Sequence, residues 1–301
     1  MATSAGGVVG AWRRLSARAW PTRPAADESG LSLIPIGLLL IKGTIILAVA
    51  DYLAGFYEET YTSDARTALR GERWRALSAV GKAEHAIALC RRAGITPKST
   101  LEVGCGDGAV LCELRRHAFG GRLEGMEIAQ AAVQIARTRS EIDAVGLYDG
   151  EHLPLPDDAR DLGILSHVLE HVHDPARLLR EVARVCGTVV VEVPLEDNLS
   201  ARRPVKRGHA EEVGHLQRLS RGAIRAIVAE ASLRVVGELE DPLPRQVHGF
   251  FAESACAKAE ADLKWAARAG LHRLAPPLAR RVFTVHYACL CEPMDVSHRV
   301  R

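Results

Sequence analysis

The chain has 301 residues, a length that allows one large α/β domain or two small ones, and 48% of them are apolar, enough for a sizeable core. The formal net charge is +2, but Arg13, Arg14, Arg18 and Arg23 stand in residues 1–26 with no acid among them, so residues 27–301 sum to −2. That balance gives no nucleic-acid surface. The seven scattered cysteines (Cys90, Cys105, Cys112, Cys186, Cys256, Cys289 and Cys291) include no Cys-x-x-Cys pair for zinc or redox chemistry and fit a reducing compartment.

Residues 1–30 are rich in Ala, Gly, Pro and Arg without a sustained period and read as a leader outside the core. Residues 31–50 are apolar over about the length that spans a bilayer, interrupted by Pro35, Gly37, Lys42 and Gly43. A central lysine costs about 2.5–3.5 kcal/mol on insertion, and four arginines before the stretch would leave the rest of the chain outside the cell. The expectation is a cytoplasmic protein, with peripheral membrane contact through 31–50 as the alternative. Arg13-Arg14 also faintly resembles a twin-arginine signal, and the acid-poor leader a transit peptide.

Residues 51–98 read as helices leading into the core. Ala76, Val80, Ala83, Ile87 and Cys90 recur at helical spacing within 70–92, and Tyr52, Phe56, Tyr57 and Tyr61 cluster ahead of them, as edge packing or as cover for a pocket. Ser99 to Glu113 then reads as a buried strand, a glycine-rich turn (Gly104, Gly106, Gly108) and the start of a helix, 109–117. Further strands are expected at 122–126, 145–148, 161–166 and 188–193, with helices at 128–139 and 175–185, the latter opened by Pro175. Residues 197–208, with Arg202, Arg203, Lys206 and Arg207, read as a polar loop. A helix at 220–231, a strand at 233–239, a helical insertion at 247–280 and a last strand at 282–291 close the pattern. Alternating strands and helices imply a mostly parallel sheet covered on both faces, with ligands at the carboxyl ends of the strands.

The turn alone satisfies both a Gly-x-Gly-x-Gly pattern and the dinucleotide Gly-x-Gly-x-x-Ala pattern. Its surroundings separate the two. Glu102 stands two residues before the first glycine, Glu127 ends the second strand, Asp149-Gly150 follow the third, and Ser166-His-Val-Leu-Glu-His-Val-His-Asp-Pro175 follows the fourth. This ordered set resembles the class I S-adenosylmethionine-dependent methyltransferases of the type 11 group, over residues 74–292. The resemblance implies a Rossmann-like three-layer sandwich with a seven-stranded, mostly parallel sheet and an antiparallel last strand. The domains would be the 1–50 leader, N-terminal helices 51–98, a cofactor-binding domain 99–292 and a tail 293–301. A dinucleotide-dependent oxidoreductase and a non-catalytic binding module of the same fold stay open as alternatives.

The resemblance assigns the S-adenosylmethionine site to Glu102, Gly104, Cys105, Gly106, Gly108, Glu127, Ile128, Asp149, Gly150, Ser166 and His167. In it Glu102 accepts from the ammonium, Glu127 accepts from both ribose hydroxyls, and Asp149 meets the adenine amino group. His167, His171 and His215 are the candidate general bases for transfer to a small-molecule O or N acceptor, whose identity is not legible. His167-Val-Leu-Glu170-His171 also matches an inverted zinc-protease pattern, which needs both histidines on one helix. Here the stretch leaves a strand instead, and no required metal is expected.

Overall fold

In the computed structural model, residues 55–62 and 65–294 are described; the leader, the apolar stretch 31–50, Tyr52 and the tail 295–301 lie outside them. The fold described here belongs to the unit Ala50–Arg301. A short helix α1 (55–61) precedes α2 (Ala65–Arg92), then β1 (Ser99–Val103), α3 (Ala109–Arg116), β2 (Arg122–Glu127), α4 (Gln130–Arg137), β3 (Ala144–Leu147) and β4 (Arg160–Ser166). A single 3-10 turn (Leu169–His171) leads to α5 (Pro175–Val185), β5 (Cys186–Leu195), α6 (Pro204–Glu212), α7 (Arg221–Glu230) and β6 (Leu233–Asp241). The chain ends with α8 (Arg245–His248), α9 (Ala255–Leu274), α10 (Pro276–Val282) and β7 (Val285–Pro293).

The strands form one sheet in the order β3-β2-β1-β4-β5-β7-β6. Pairs among β1 to β5 are parallel, and β7 runs antiparallel between β5 and β6. The order reverses between β1 and β4, the crevice where ligands of open α/β sheets bind.

Each face of the sheet has its own core. On one side α2 (Ala79, Ala83, Ala86, Leu89) and α3 (Leu111, Leu114) cover Leu123, Ile164, Val190 and Leu290. On the other, α5, α7 and α10 cover Leu101, Leu165, Val191 and Tyr287. The helix α5 shows how sequence sets such an element. The Asp174 side chain accepts from Arg177 N at 2.9 Å, Pro175 fills the first turn, and Leu178, Leu179, Val182 and Val185 bury one stripe. Truncating a residue such as Leu179 to Ala would cost about 2–5 kcal/mol.

Three expectations change. The polar loop 197–208 contains the start of a helix, α6, because Pro204 occupies a first turn that the missing apolar period concealed. The insertion divides into three helices, and the last runs on to Val282, so β7 begins at Val285 rather than 282. β5 extends from Cys186 to Leu195, four residues more than 188–193, since nothing polar separates it from α5. Cys289 and Cys291 lie on one face as expected, with Sγ atoms 3.7 Å apart and both thiols free.

Candidate active site

The glycine turn leaves β1 with φ of 74° at Gly104, 54° at Gly106 and 77° at Gly108, left-handed values that L side chains rarely adopt. A Cβ at Gly104 would meet Val168 Cγ2 at 2.6 Å, and one at Gly106 would meet Tyr61 Oη at 2.5 Å. The backbone surface is therefore bare while neighbours crowd it. Gly104 N and Cys105 N donate to Met126 O at 2.7 and 3.1 Å, and Gly106 N donates to Glu127 Oε2 at 2.8 Å.

Glu127 thus ties the turn to the end of β2. Its other oxygen, Oε1, accepts from Ile128 N at 2.7 Å and Ala129 N at 3.1 Å. With two bonds on Oε1 and one on Oε2, the spare acceptor capacity lies on Oε2, which differs from a carboxylate open on both oxygens. Burial raises its pKa, against those three backbone bonds.

Glu102 is 2% exposed, and its Oε2 has no hydrogen-bond partner. Burial pushes its carboxyl up to about 8, with Lys82 of α2 working against that and Asp107, Glu127 and Glu192 adding to it. Asp107, a turn residue in the sequence reading, is locked by arginine: Arg75 Nε lies 2.8 Å from its Oδ2 and Arg139 Nε donates to its carbonyl at 2.6 Å. Asp149 caps its own turn, accepting from Glu151 N and His152 N at 2.8 and 2.7 Å, with Gly150 following at φ 87°. Its side chain is 61% exposed. Burial works against its charge, and the two backbone bonds outweigh that and lower its pKa.

The helix α1 lies across this region. Tyr61 stands over Gly106, with the Arg75 guanidinium 4.7 Å from its ring centre. Tyr57 meets the ring of His171 at 5.8 Å, edge on. Glu58 Oε2 accepts from Ala131 N at 2.9 Å and so supplies the N-terminal cap that Ala129 cannot give α4. Tyr57 and Tyr61 thus lie against His171 and the glycine turn.

The three candidate histidines separate into two groups. His167 follows β4 at φ 58°, with its ring 4.8 Å from that of His286, and burial drives its pKa well down. Ser166 beside it is buried with its Oγ unpartnered. His171 and His215 meet at 4.8 Å between ring centres. The carbonyl of Glu170 accepts from Leu216 N and Gln217 N at 2.9 and 3.1 Å, which docks the segment after α6 on the 3-10 turn. Because His167 follows the strand β4 and His171 lies in a 3-10 turn, the two are not a helix-borne zinc pair.

Burial, with His215 beside it, pushes His171 down to about 4. Its Nδ1 lies 3.0 Å from Gly214 O, and a carbonyl only accepts, so Nδ1 carries the hydrogen and Nε2 the lone pair. His215 has the opposite balance: burial disfavours its charge, but Glu196 Oε2 at 2.9 Å outweighs burial and raises its pKa. Burial raises Glu170, between His167 and His171, to about 7. Among the described residues two groups could hold a metal, His167 with Glu192 and His286, and Glu170 with His171 and His215.

Residues 101–188 match the family model described as a methyltransferase domain. Over 126 residues the chain is 36% identical to an uncharacterized 37.1 kDa protein in a transposon of Streptomyces fradiae, covering 38% of this chain and 36% of that protein. It is 32% identical over 127 residues to a probable S-adenosylmethionine-dependent methyltransferase of Mycobacterium tuberculosis, covering 39% and 44%. It is 30% identical over 102 residues to the ubiquinone biosynthesis O-methyltransferase of Yersinia enterocolitica, covering 32% and 41%. The chain thus spans less than half the length of each. A S-adenosylmethionine-dependent methyltransferase from Thermotoga maritima shares the fold, with TM-score 0.51 at 14% identity, over 81% of this chain and 100% of that one.

The antiparallel β7 departs from the all-parallel dinucleotide order, and a buried carboxyl with an unpartnered oxygen beneath the glycine turn, able to ionise against a cation, suits an amino acid's ammonium rather than a pyrophosphate. The residues present fit a sulfonium nucleoside, and over residues 101–188 the chain is similar to the S-adenosylmethionine-dependent methyltransferases.

Proposed function

We infer that this protein transfers a methyl group from S-adenosylmethionine to a hydroxyl or amine of a small-molecule acceptor, by in-line displacement at the carboxyl ends of β1, β2 and β4. The observation that carries this reading is Glu102, a fully buried carboxylate with a free oxygen under three left-handed glycines. In it Glu102 holds the cofactor's ammonium, the Gly104 to Gly108 backbone and Cys105 lie against the amino acid end, and Glu127 with Ile128 holds the ribose. Asp149 and Gly150 border the adenine, and Ser166 and His167 border the methionyl side. The bound cofactor supplies a methyl already activated on sulfur. The chain then has to orient the acceptor and exclude water.

His171 is the group placed to move a proton. It is neutral near pH 7, and its Nε2 lone pair is left open by the bond at Nδ1. Accepting the proton of an acceptor hydroxyl there is worth about 10²- to 10⁴-fold. His215, held by Glu196 at 2.9 Å, lies edge on to His171 and positions it. The name of the Yersinia relative supports a small-molecule O-acceptor. Among the described residues no helix is long and apolar enough to cross a membrane, and the free cysteines fit action in the cytoplasm.

The full chain is to be titrated calorimetrically with S-adenosylhomocysteine and then incubated with methyl-labelled S-adenosylmethionine and fractionated host metabolites. Micromolar binding and a labelled small molecule are expected. Failure to bind would overturn the whole reading; binding with label found only on protein or nucleic acid would overturn the acceptor class.

A further inference from the structure

One group of side chains on the α2 face of the sheet shares only His167 with the methyl-transfer reading. Glu192 of β5 is opposite Ser166 of β4 and Ala288 of β7, and Pro194 is opposite His286. Strand alternation therefore places Glu192 and His286 on one face. The chain leaving β4 turns through the left-handed φ of 58° at His167, a value rare for a residue with a side chain. From Glu192 Oε1, His286 Nδ1 lies at 3.4 Å, His85 Nδ1 of α2 at 3.5 Å and His167 Nε2 at 3.8 Å. An N–H···O bond measures about 2.7–3.2 Å, so these contacts are too long. Glu192 Oε1, His167 Nε2 and His85 Nδ1 have no hydrogen-bond partner, although the Glu192 side chain is only 2% exposed.

The spacings are those of ligand atoms around one small cation. Imidazole nitrogen and carboxylate oxygen sit about 2.0–2.2 Å from zinc, and a tetrahedral angle then separates neighbouring ligand atoms by about 3.4 Å. His167, Glu192 and His286 each bring a ligand atom within 4.8 Å of the other two. His85 is oriented from behind: its Nε2 donates to Asp241 Oδ2 at 3.0 Å, and its Nδ1 faces Glu192 Oε1 at 3.5 Å. We propose that His167, Glu192 and His286 bind one divalent transition-metal ion, zinc or an ion of similar ligand preference, with His85 and Asp241 supporting Glu192. The ion joins the ends of β4, β5 and β7. The neighbouring group of Glu170, His171 and His215 is a second place for an ion, with Nδ1 of its histidines held by Gly214 O and by Glu196.

The proposed ion site shares His167 with the methyl-transfer reading, but its test reads metal uptake alone. The full chain, with the exposed Cys256 replaced by Ser, is stripped with chelator and titrated with Co²⁺, followed by ligand-field absorption, and with Zn²⁺, followed by elemental analysis. One ion per chain and a raised melting temperature are expected. His286→Asn and Glu192→Gln should each weaken binding more than about 100-fold, and the exposed His152→Asn should leave it unchanged. Absence of uptake by the parent chain overturns the proposal whatever the variants do. Uptake that survives His286→Asn, or that is lost only in His171→Asn, overturns it as well.

Discussion

Glu102 is a carboxylate that burial keeps largely protonated at neutral pH, in a site whose proposed ligand brings a cation. Its pKa of about 8 reflects burial first, then Asp107, Glu127 and Glu192, with Lys82 opposing them. Binding an ammonium ionises it, so S-adenosylhomocysteine binding near pH 7 should release about one proton. Calorimetry in buffers of different ionisation enthalpy reads this directly; Glu102→Gln should abolish the release and weaken binding at least about tenfold, the value of one charged contact. The sign for stability follows from the same shift. The folded state holds a proton that the unfolded chain gives up between pH 4.5 and about 8, so this group lowers stability as pH rises through that window. Glu102→Gln should therefore flatten the fall in melting temperature from pH 5 to 8; a steeper fall would contradict the assignment. His171→Asn should reduce turnover about 10²- to 10⁴-fold with the S-adenosylhomocysteine dissociation constant unchanged, and parallel loss of both would make His171 a folding residue. Glu102 and the glycines were legible in the sequence because turn chemistry is local. Lys82, Glu192 and His286 were not, because only strand pairing and the packing of α2 bring them to the site.

At the scale of elements, the unexpected contact is between α1 and α4. A helix of seven residues does not hold itself together in water, so 55–61 keeps its shape by docking through Glu58, Tyr57 and Tyr61. The Glu58 cap is worth about 0.5–2 kcal/mol, a large share of what holds so short a helix. Glu58→Ala should accelerate amide exchange over 55–61 and at the start of α4, and weaken S-adenosylhomocysteine binding while leaving β5 exchange unchanged. Equal acceleration everywhere would mean global destabilisation instead. Gly106→Ala attacks the same junction from the other side, since its Cβ meets Tyr61 Oη at 2.5 Å and its φ is 54°. A cap supplied from 73 residues away leaves no trace in the α4 sequence. By contrast α5 was read to the residue, because Asp174-Pro175 starts it and a clean apolar stripe follows.

Over the whole molecule, strength is unevenly distributed. The α/β alternation was legible because buried parallel strands are largely β-branched and apolar runs, Thr188 to Val193 most clearly, with Glu192 the one charge in it. The insertion after β6 was legible only as helical, because α9 buries none of its residues and so carries no stripe to orient it. Leu263 is 73% exposed there and Leu274 85%. Among its ties to the rest are an exposed double ion pair from Arg245 to Asp262, at 2.7 and 2.6 Å, and Arg268 stacked 5.4 Å from the Phe283 ring centre. Exposed pairs of this kind contribute about 0.2–1 kcal/mol each, whereas opening the two cores costs the full stability of the domain, about 5–15 kcal/mol. Local opening of α9 should therefore precede global unfolding by several kcal/mol. In limited trypsin digestion, the first cuts within residues 65–294 should fall at Lys258, Lys264 or Arg268. Should α9 act as a lid on the acceptor, a true acceptor added with S-adenosylhomocysteine will slow those cuts and S-adenosylhomocysteine alone will not. First cuts within α2 or β5 would show that α9 is held far more firmly than its exposed contacts allow.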